Sequence, residues 1–456
     1  MDLGQSQPRS LMRRSSAGNN SGVLTIILVF VASLVVLTLT RNEANRLREA
    51  EEYIQEQVPM TREIFCLRYG LSNEVRHIDV MTLKALPKPD GTKPKALVTG
   101  AAGFIGSHVA RIARDLDMDV IAVDDMSGGF KKNVPEGVTF VKGDLKDPHF
   151  IDELFEHHGP FTYVYHLAAY AAEGLSHFIR GYNYRNNLVA TMQLLNACVR
   201  SENTEVFVFT SSIAVYGAGQ TPMTEETTPI PEDPYGVSKY ACELDLKAAH
   251  EMFGQKYIVF RPHNVYGPGQ NLFDRYRNVI GIFLNQLSHG KPMTVFGDGT
   301  QTRKFSYIDD VAVPIAVSPL MEHMHNEVFN VGGDQAYTVN FLAKVTAYAW
   351  STDLFLDDKT LVHLDKRNEV EHAESSHSKI HCYLPSLPRP VPLETGMSRM
   401  VEWAKKEGAE FAAVEFSAVE VKKNMPPSWV RPDLQEKSWV EHDEKENLVE
   451  QGLSTS

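Results

Sequence analysis

Residues 95–116 read Lys95-Ala-Leu-Val-Thr-Gly100-Ala-Ala-Gly103-Phe-Ile-Gly106-Ser, then His108 to Leu116 as HVARIARDL. A short apolar run of strand length stops at Gly100, and from Phe104 onward the apolar residues recur at helical period. The turn between them carries Gly100, Gly103 and Gly106. Glycines in such a turn let the chain bend sharply, let the backbone approach a pyrophosphate and allow close helix–strand packing. The phosphates would then sit at the helix N-terminus, where unpaired N–H groups and the helix dipole favour anions. The spacing alone is a weak signal, and the strand before it and helix after it supply the context.

Outward from this turn the pattern repeats. DVIAVDD (119–125), TFVKGDL (139–145), YVYHLAA (163–169) and VFVFTSS (206–212) read as further strands, and a helical stretch runs from about Asn187 to Arg200. Short apolar strands alternating with helices predict right-handed βαβ units, hence a parallel sheet covered by helices on both faces. Asp124 ends the second strand. A carboxylate there accepts hydrogen bonds from adenosine ribose hydroxyls and repels a 2′-phosphate, which favours NAD over NADP. Asp125 is adjacent and able to share that role.

The chain has 456 residues and a net charge of −13, with 43% hydrophobic and 23% charged residues, so whole-chain disorder is excluded. The acidic balance argues against nucleic-acid binding, which calls for a basic face toward phosphates. Four cysteines, without a CxxC pair, give neither a disulfide scaffold nor a structural zinc site. No charged residue lies between Arg14 and Arg41, and the run VLTIILVFVASLVVLTL (23–39) is long enough, with its flanks, to span a bilayer. No cleavage signature follows it, so a retained anchor is expected rather than a signal peptide. Arg9, Arg13 and Arg14 before the span balance Arg41, Arg46 and Arg48 after it. The orientation taken is a short cytosolic tail with the large domain in the lumen of the Golgi or ER. The organisation is thus a tail (1–21), a transmembrane anchor (22–40), a stem (41–93), a catalytic domain (94–415) and a charged, solvated tail (416–456).

Tyr235-Gly-Val-Ser-Lys239 puts a phenol and an ammonium one helical turn apart on one face. Free tyrosine, with a pKa of about 10, is too weakly acidic to serve as a base at neutral pH. A neighbouring lysine and the positive nicotinamide ring both favour the phenolate. Ser212 stands at the end of the fifth strand, where open parallel sheets hold their ligands.

TGAAGFIGSHV, HLAA, SSIAVYG, YGVSK, FRPHNVYGPGQ and FGDGTQTRKFSYIDDVA follow one another in the order seen in extended short-chain dehydrogenases/reductases. The region from about 95 to 410 therefore resembles the NAD-dependent nucleotide-sugar epimerase/dehydratase family, and the branch similar to UDP-glucose 4-epimerase in particular. The resemblance implies a Rossmann-type, doubly wound α/β fold with a smaller C-terminal substrate-binding region. It implies that Gly100, Gly103, Phe104, Ile105, Gly106 and Asp124 hold NAD, with Asp144 and Leu145 near the adenine and Ala168 and Ala169 beneath the cofactor. Asn187 matches a central structural or cofactor asparagine, and Ser212, Tyr235 and Lys239 match the catalytic triad. Asn264 and Arg303 match residues that bind the nucleotide diphosphate, a role suited to a guanidinium fork. Arg367 falls in a motif usually written R-x-G-D/E, whose glycine is missing here. Relatives pair as homodimers through the helices flanking the Tyr-Lys element.

One departure is informative. Family dehydratases carry an Asp-Glu pair before V-Y-G, and decarboxylases a Glu, where this chain has Ile213 and Ala214. The expected reaction is therefore C4 epimerisation of a UDP-hexose, either UDP-glucose/UDP-galactose or UDP-glucuronate/UDP-galacturonate. UDP-glucuronate decarboxylation is the nearest alternative, and a catalytically silent NAD-binding scaffold is an alternative of another kind. The histidines at 323, 325, 372, 377 and 381 lack metal-site spacing and read as surface or loop residues. Cys198 and Cys242 read as buried helical residues. Tyr170 and Glu173 are open between lining the sugar pocket and packing a loop.

Overall fold

A computed structural model of the chain describes residues 66, 68–71, 78–272, 274, 276, 278–351, 357, 359–365, 372–407 and 419–426. The expected anchor at 22–40 and Arg367 lie outside these residues. Among the described residues no helix is long and apolar enough to cross a membrane. The chain divides into two units after Arg68, and the architecture below belongs to the second.

All five apolar runs are strands: β1 (Lys95–Thr99), β2 (Asp119–Asp124), β3 (Thr139–Lys142), β4 (Tyr163–His166) and β5 (Val206–Thr210). Two more, β6 (Lys256–Pro262) and β7 (Glu327–Val331), complete a seven-stranded sheet in the order β7-β6-β5-β4-β1-β2-β3. Every neighbouring pair is parallel. The central strands are buried on both faces, which is why β5 (VFVFT) is apolar at every position but its last. Leu97, Val164, Phe207 and Phe209 form a core with Ile151, Leu194 and Leu246 from the covering helices.

Between β1 and β6 the α-helices in chain order are α1 (Phe104–Asp115), α2 (Pro148–His158), α3 (Glu173–Ser176), α4 (Arg180–Tyr184), α5 (Ala190–Ser201) and α6 (Pro234–Phe253). Successive connections run to opposite sides of β1, with β2 on one flank and β4 on the other. That reversal opens a crevice at the carboxyl ends of the strands, the position where open α/β sheets bind ligands. Beyond β6 the chain adds small sheets, one of which sets Thr302–Lys304 between Ala336–Thr338 and His372–Ala373.

The ends correct two boundaries. Val80 and Ala85, assigned to the stem, are buried, and the Ala85 amide donates to the Leu116 carbonyl at 2.8 Å. In the C-terminal segment Met425 is buried as well, so residues 419–426 belong to the domain and not to a solvated tail. Cys382 is disulfide-bonded, whereas Cys198 in α5 and Cys242 in α6 are free and buried.

Candidate active site

One crevice of about 950 Å³ runs along the carboxyl ends of the strands. Gly100, Gly103, Phe104, Ile105, Gly106, Asp124, Asp144, Leu145, Ala168, Ala169, Ser212, Tyr235, Lys239, Asn264 and Arg303 all line it. The glycine turn is built tightly. Gly100 has φ +68°, and a Cβ there would sit 2.8 Å from the Ala168 amide nitrogen. At Gly106 a Cβ would fall 2.1 Å from the Gly100 carbonyl oxygen, so the contact between turn and helix depends on its absence. No side chain caps the start of α1, which leaves its first amides to the crevice.

Asp124 is held at the crevice wall by two amides, accepting from Ala102 N at 3.0 Å and Met126 N at 2.8 Å. Burial pushes its pKa up, while hydrogen bonds from the Met126, Ala102 and Gly103 amides pull it down. A carboxylate offers about four lone-pair sites, so accepting capacity remains for a ribose hydroxyl. Lys146 ties the far end of this half together, 2.9 Å from Asp144, 3.6 Å from Asp125 and 2.7 Å from the Asn186 amide oxygen. Lys146 carries no local sequence signal for this role, because Asp125 and Asn186 reach it from other segments. The bare helix start, the glycine cradle and the held carboxylate together fit a dinucleotide.

The other half of the crevice belongs to β5 and α6. Ser212 follows the end of β5, and its Oγ accepts from Ala214 N at 3.2 Å as the chain turns into a 3₁₀ segment, Ile213–Tyr216. Ile213 and Ala214 line the crevice beside it. Helix α6 begins with Asp233 as N-cap, accepting from Gly236 N at 2.9 Å, and with Pro234 in its first turn. Ser176 of α3 accepts from the Tyr235 amide at 3.2 Å and donates to Asp233 at 3.3 Å, fixing where α6 starts. One turn on, the Lys239 ammonium donates to the Thr210 carbonyl at 2.7 Å and lies 5.9 Å from the Tyr235 ring centre. Burial lowers the Lys239 pKa to about 8, with Cys242 and Glu243 opposing that shift. At neutral pH the group still carries its proton most of the time.

Beneath these residues lies a layer the sequence did not disclose. Glu243 of α6 pairs with Arg261 of β6 through two bonds, both side chains being buried. Ser211 donates to Glu243, and Arg261 donates to the Tyr216 hydroxyl at 2.7 Å. Asn187 lies in this hidden layer too, away from the crevice surface. It accepts from Tyr170 N at 2.8 Å, donates to Tyr170 O at 3.1 Å and donates to Asn183 Oδ1 at 2.8 Å. Of the two roles open to Asn187, these contacts describe the structural one. Tyr170 and Glu173 both line the crevice.

Asn264 has φ +41°, a left-handed conformation that asparagine tolerates better than most residues, and its amide donates to Lys304 O at 3.1 Å. Arg303 leans on its own strand, donating to Thr302 O at 2.8 Å. His377 is a loop residue, as expected, but a buried one, 3.1 Å from Asp334 Oδ1 and 3.1 Å from Ser375 Oγ.

Comparison with known proteins matches residues 96–332 to a family described as the NAD dependent epimerase/dehydratase family. An uncharacterized UDP-glucose epimerase of Bacillus subtilis is 35% identical over 257 residues, covering 54% of this chain and 78% of that protein. The structure of UDP-glucose 4-epimerase from Thermotoga maritima with UDP-glucose superposes with a TM-score of 0.63 at 33% identity, covering 68% of this chain and 99% of the other. UDP-glucuronic acid 4-epimerase from Bacillus cereus, in complex with UDP-glucuronic acid and NAD, gives 0.61 at 28% identity with coverage of 68% and 99%.

Proposed function

Because the chain belongs to the NAD dependent epimerase/dehydratase family, an enzyme family whose cofactor is NAD, we propose that it epimerises a UDP-hexose at C4. The observation that carries the choice is the wall beside Ser212. A dehydratase eliminating water from C5–C6 needs an acid there, and the side chains at that place are Ile213 and Ala214. An apolar wall suits a ketosugar that must be free to turn over.

Each residue then has a defined task. Bound along the glycine turn and Asp124, NAD would accept the C4 hydride and give it back. Tyr235, as phenolate, takes the proton of the 4-hydroxyl and later returns it. Lys239 favours that phenolate by its charge. The Ser212 hydroxyl donates to the developing 4-keto oxygen. Asn264 and Arg303, at the opposite end from the glycine turn in sequence, suit the diphosphate. Glu173, Glu232 and Asp233 border the crevice near Tyr235 and suit an uncharged hexose better than a uronate.

The deciding experiment incubates the protein separately with UDP-glucose, UDP-galactose and UDP-glucuronate and identifies products by mass and NMR. Epimerisation gives a product of unchanged mass with inverted C4. A UDP-pentose formed from UDP-glucuronate as the main product would replace this reading with decarboxylation.

The same proposal puts the domain in an oxidising lumen of the Golgi or ER, behind an anchor at 22–40. Disulfide-bonded Cys382 supports it, since such bonds are rare where thiols are kept reduced. Sealed microsomes should protect a nearly full-length fragment from added protease. Digestion of the catalytic domain without detergent would place it on the cytosolic side.

A further inference from the structure

After β4 the chain follows the crevice through Tyr170, forms α3, and enters α4. Tyr170, Glu173, His177 and Tyr182 from this stretch line the crevice, so the α3–α4 segment is one of its walls. Helix α4 opens a helical run that passes through a π segment, Arg185–Val189, straight into α5, and its N-cap residue, Ile179, supplies no side-chain cap. With no cap of its own at that start, the first amides of the run need acceptors from elsewhere.

Those acceptors come from the far end of the chain. Glu420 Oε2 accepts from Gly181 N at 2.7 Å and Oε1 accepts from Tyr182 N at 2.8 Å. The backbone amides of Glu420 and Val421 donate to Phe178 O at 2.8 and 3.1 Å. Met425 is buried in a cluster with Ala172, Leu175 and Ile179, against which Tyr170, Tyr182 and Tyr276 pack. These three tyrosines also line the crevice, so the wall is braced from behind by residues 419–425. The wall is in turn joined to the catalytic helix, because Asn183 of α4 donates to Pro234 O at 2.9 Å. The family match ends at residue 332, so this brace is not part of the matched region.

We propose that residues 419–425 form a strap that sets the α3–α4 wall for sugar binding, with Glu420 as its positioning residue. The inference rests on the UDP-sugar reading of the crevice. The wall meets α6 on the Ser212–Tyr235 side, whereas the glycine turn and Asp124 are untouched by the strap. Substrate affinity should therefore depend on Glu420 while cofactor retention should not.

The test compares the full chain with Glu420→Ala and Glu420→Gln. Glu420→Ala loses two charge-assisted hydrogen bonds, and KM for the UDP-sugar should rise about tenfold, or ~1.4 kcal/mol, with kcat within about threefold. Bound NAD should stay at the wild-type level, and Glu420→Gln, which keeps one acceptor oxygen, should recover part of the loss. Hydrogen exchange should quicken at residues 173–184 and stay unchanged at 100–110. A KM within about twofold of wild type, or a drop in kcat, NAD content and melting temperature at constant KM, overturns the strap. If the wild type converts no UDP-sugar, the functional reading fails, and the exchange pattern alone then decides the strap: unchanged exchange at 173–184 in Glu420→Ala rejects it.

Discussion

Tyr235 takes its position from several short-range devices that act together. The Asp233 cap, Pro234 in the first turn and the Ser176 hydroxyl fix the start of α6, and one turn later the Lys239 ammonium is pinned to the Thr210 carbonyl. Because these contacts involve the backbone at 235 or other side chains, the substitution Tyr235→Phe should leave the crevice intact. On the proposed mechanism it removes the proton acceptor. We expect kcat to fall by about 10²–10⁴, the range for losing a general acid–base group, with NAD content unchanged. Activity within about tenfold of wild type would mean that another group takes the proton. Tyr235, Lys239 and Ser212 were all readable in sequence, since each belongs to a local motif whose spacing has a direct geometric meaning. Lys146 and Glu420 were not, because Asp125 and Asn186 in the one case, and Gly181 and Tyr182 in the other, come from distant segments.

Among the elements, those buried on both faces or bounded by glycine were legible, and those stabilised by distant polar partners were not. Strand β5 is a continuous apolar run, and α1 begins at a glycine turn, so both announce themselves. Strand β6 reads KYIVFRP, with two charges and a proline that blur any strand signal. Its Arg261 is tolerated in the core only because Glu243 arrives from α6 with matching geometry. Nothing in the spacing of 243 and 261 foretells that meeting. The same pairing makes the helix–strand contact fragile. Glu243→Ala leaves a buried guanidinium without its counter-charge and frees the Ser211 hydroxyl. It should destabilise the fold by about 3–5 kcal/mol, measured by urea unfolding at neutral pH. A loss below about 1 kcal/mol would mean that water reaches Arg261 and replaces the carboxylate. Replacing both partners by apolar residues of similar volume should cost less than removing Glu243 alone, since no charge is then stranded.

At the scale of the molecule, His166 of β4 ties strand β1 to helix α5. Its Nδ1 lies 2.8 Å from the Thr99 hydroxyl of β1, and its Nε2 lies 2.8 Å from the Thr191 hydroxyl of α5. Thr191 donates to the Asn187 carbonyl, so it must accept from Nε2–H. Thr99 accepts from the Leu167 and Ala168 amides at 3.2 Å each, so its own proton goes to Nδ1. This network assigns a neutral imidazole with its proton on Nε2 and offers no acceptor for a second proton. Burial accordingly lowers the pKa from 6.5 to about 3, with the Lys239 charge acting in the same direction. The sign follows directly. Below about pH 6.5 the unfolded chain binds a proton at this site while the folded chain does not, so acidification favours unfolding until about pH 3. Other groups oppose it, Asp310 among them, whose pKa is raised to about 7 by burial and which therefore binds a proton preferentially in the folded state. The contribution of His166 is isolated by difference. The stability advantage of wild type over His166→Gln, measured by urea unfolding, should shrink from pH 7 to pH 5 by on the order of 1–2 kcal/mol. An advantage that holds constant across that interval would show that the ring accepts a proton inside the fold. The string of hydroxyls from β1 to α5 would then need a different wiring.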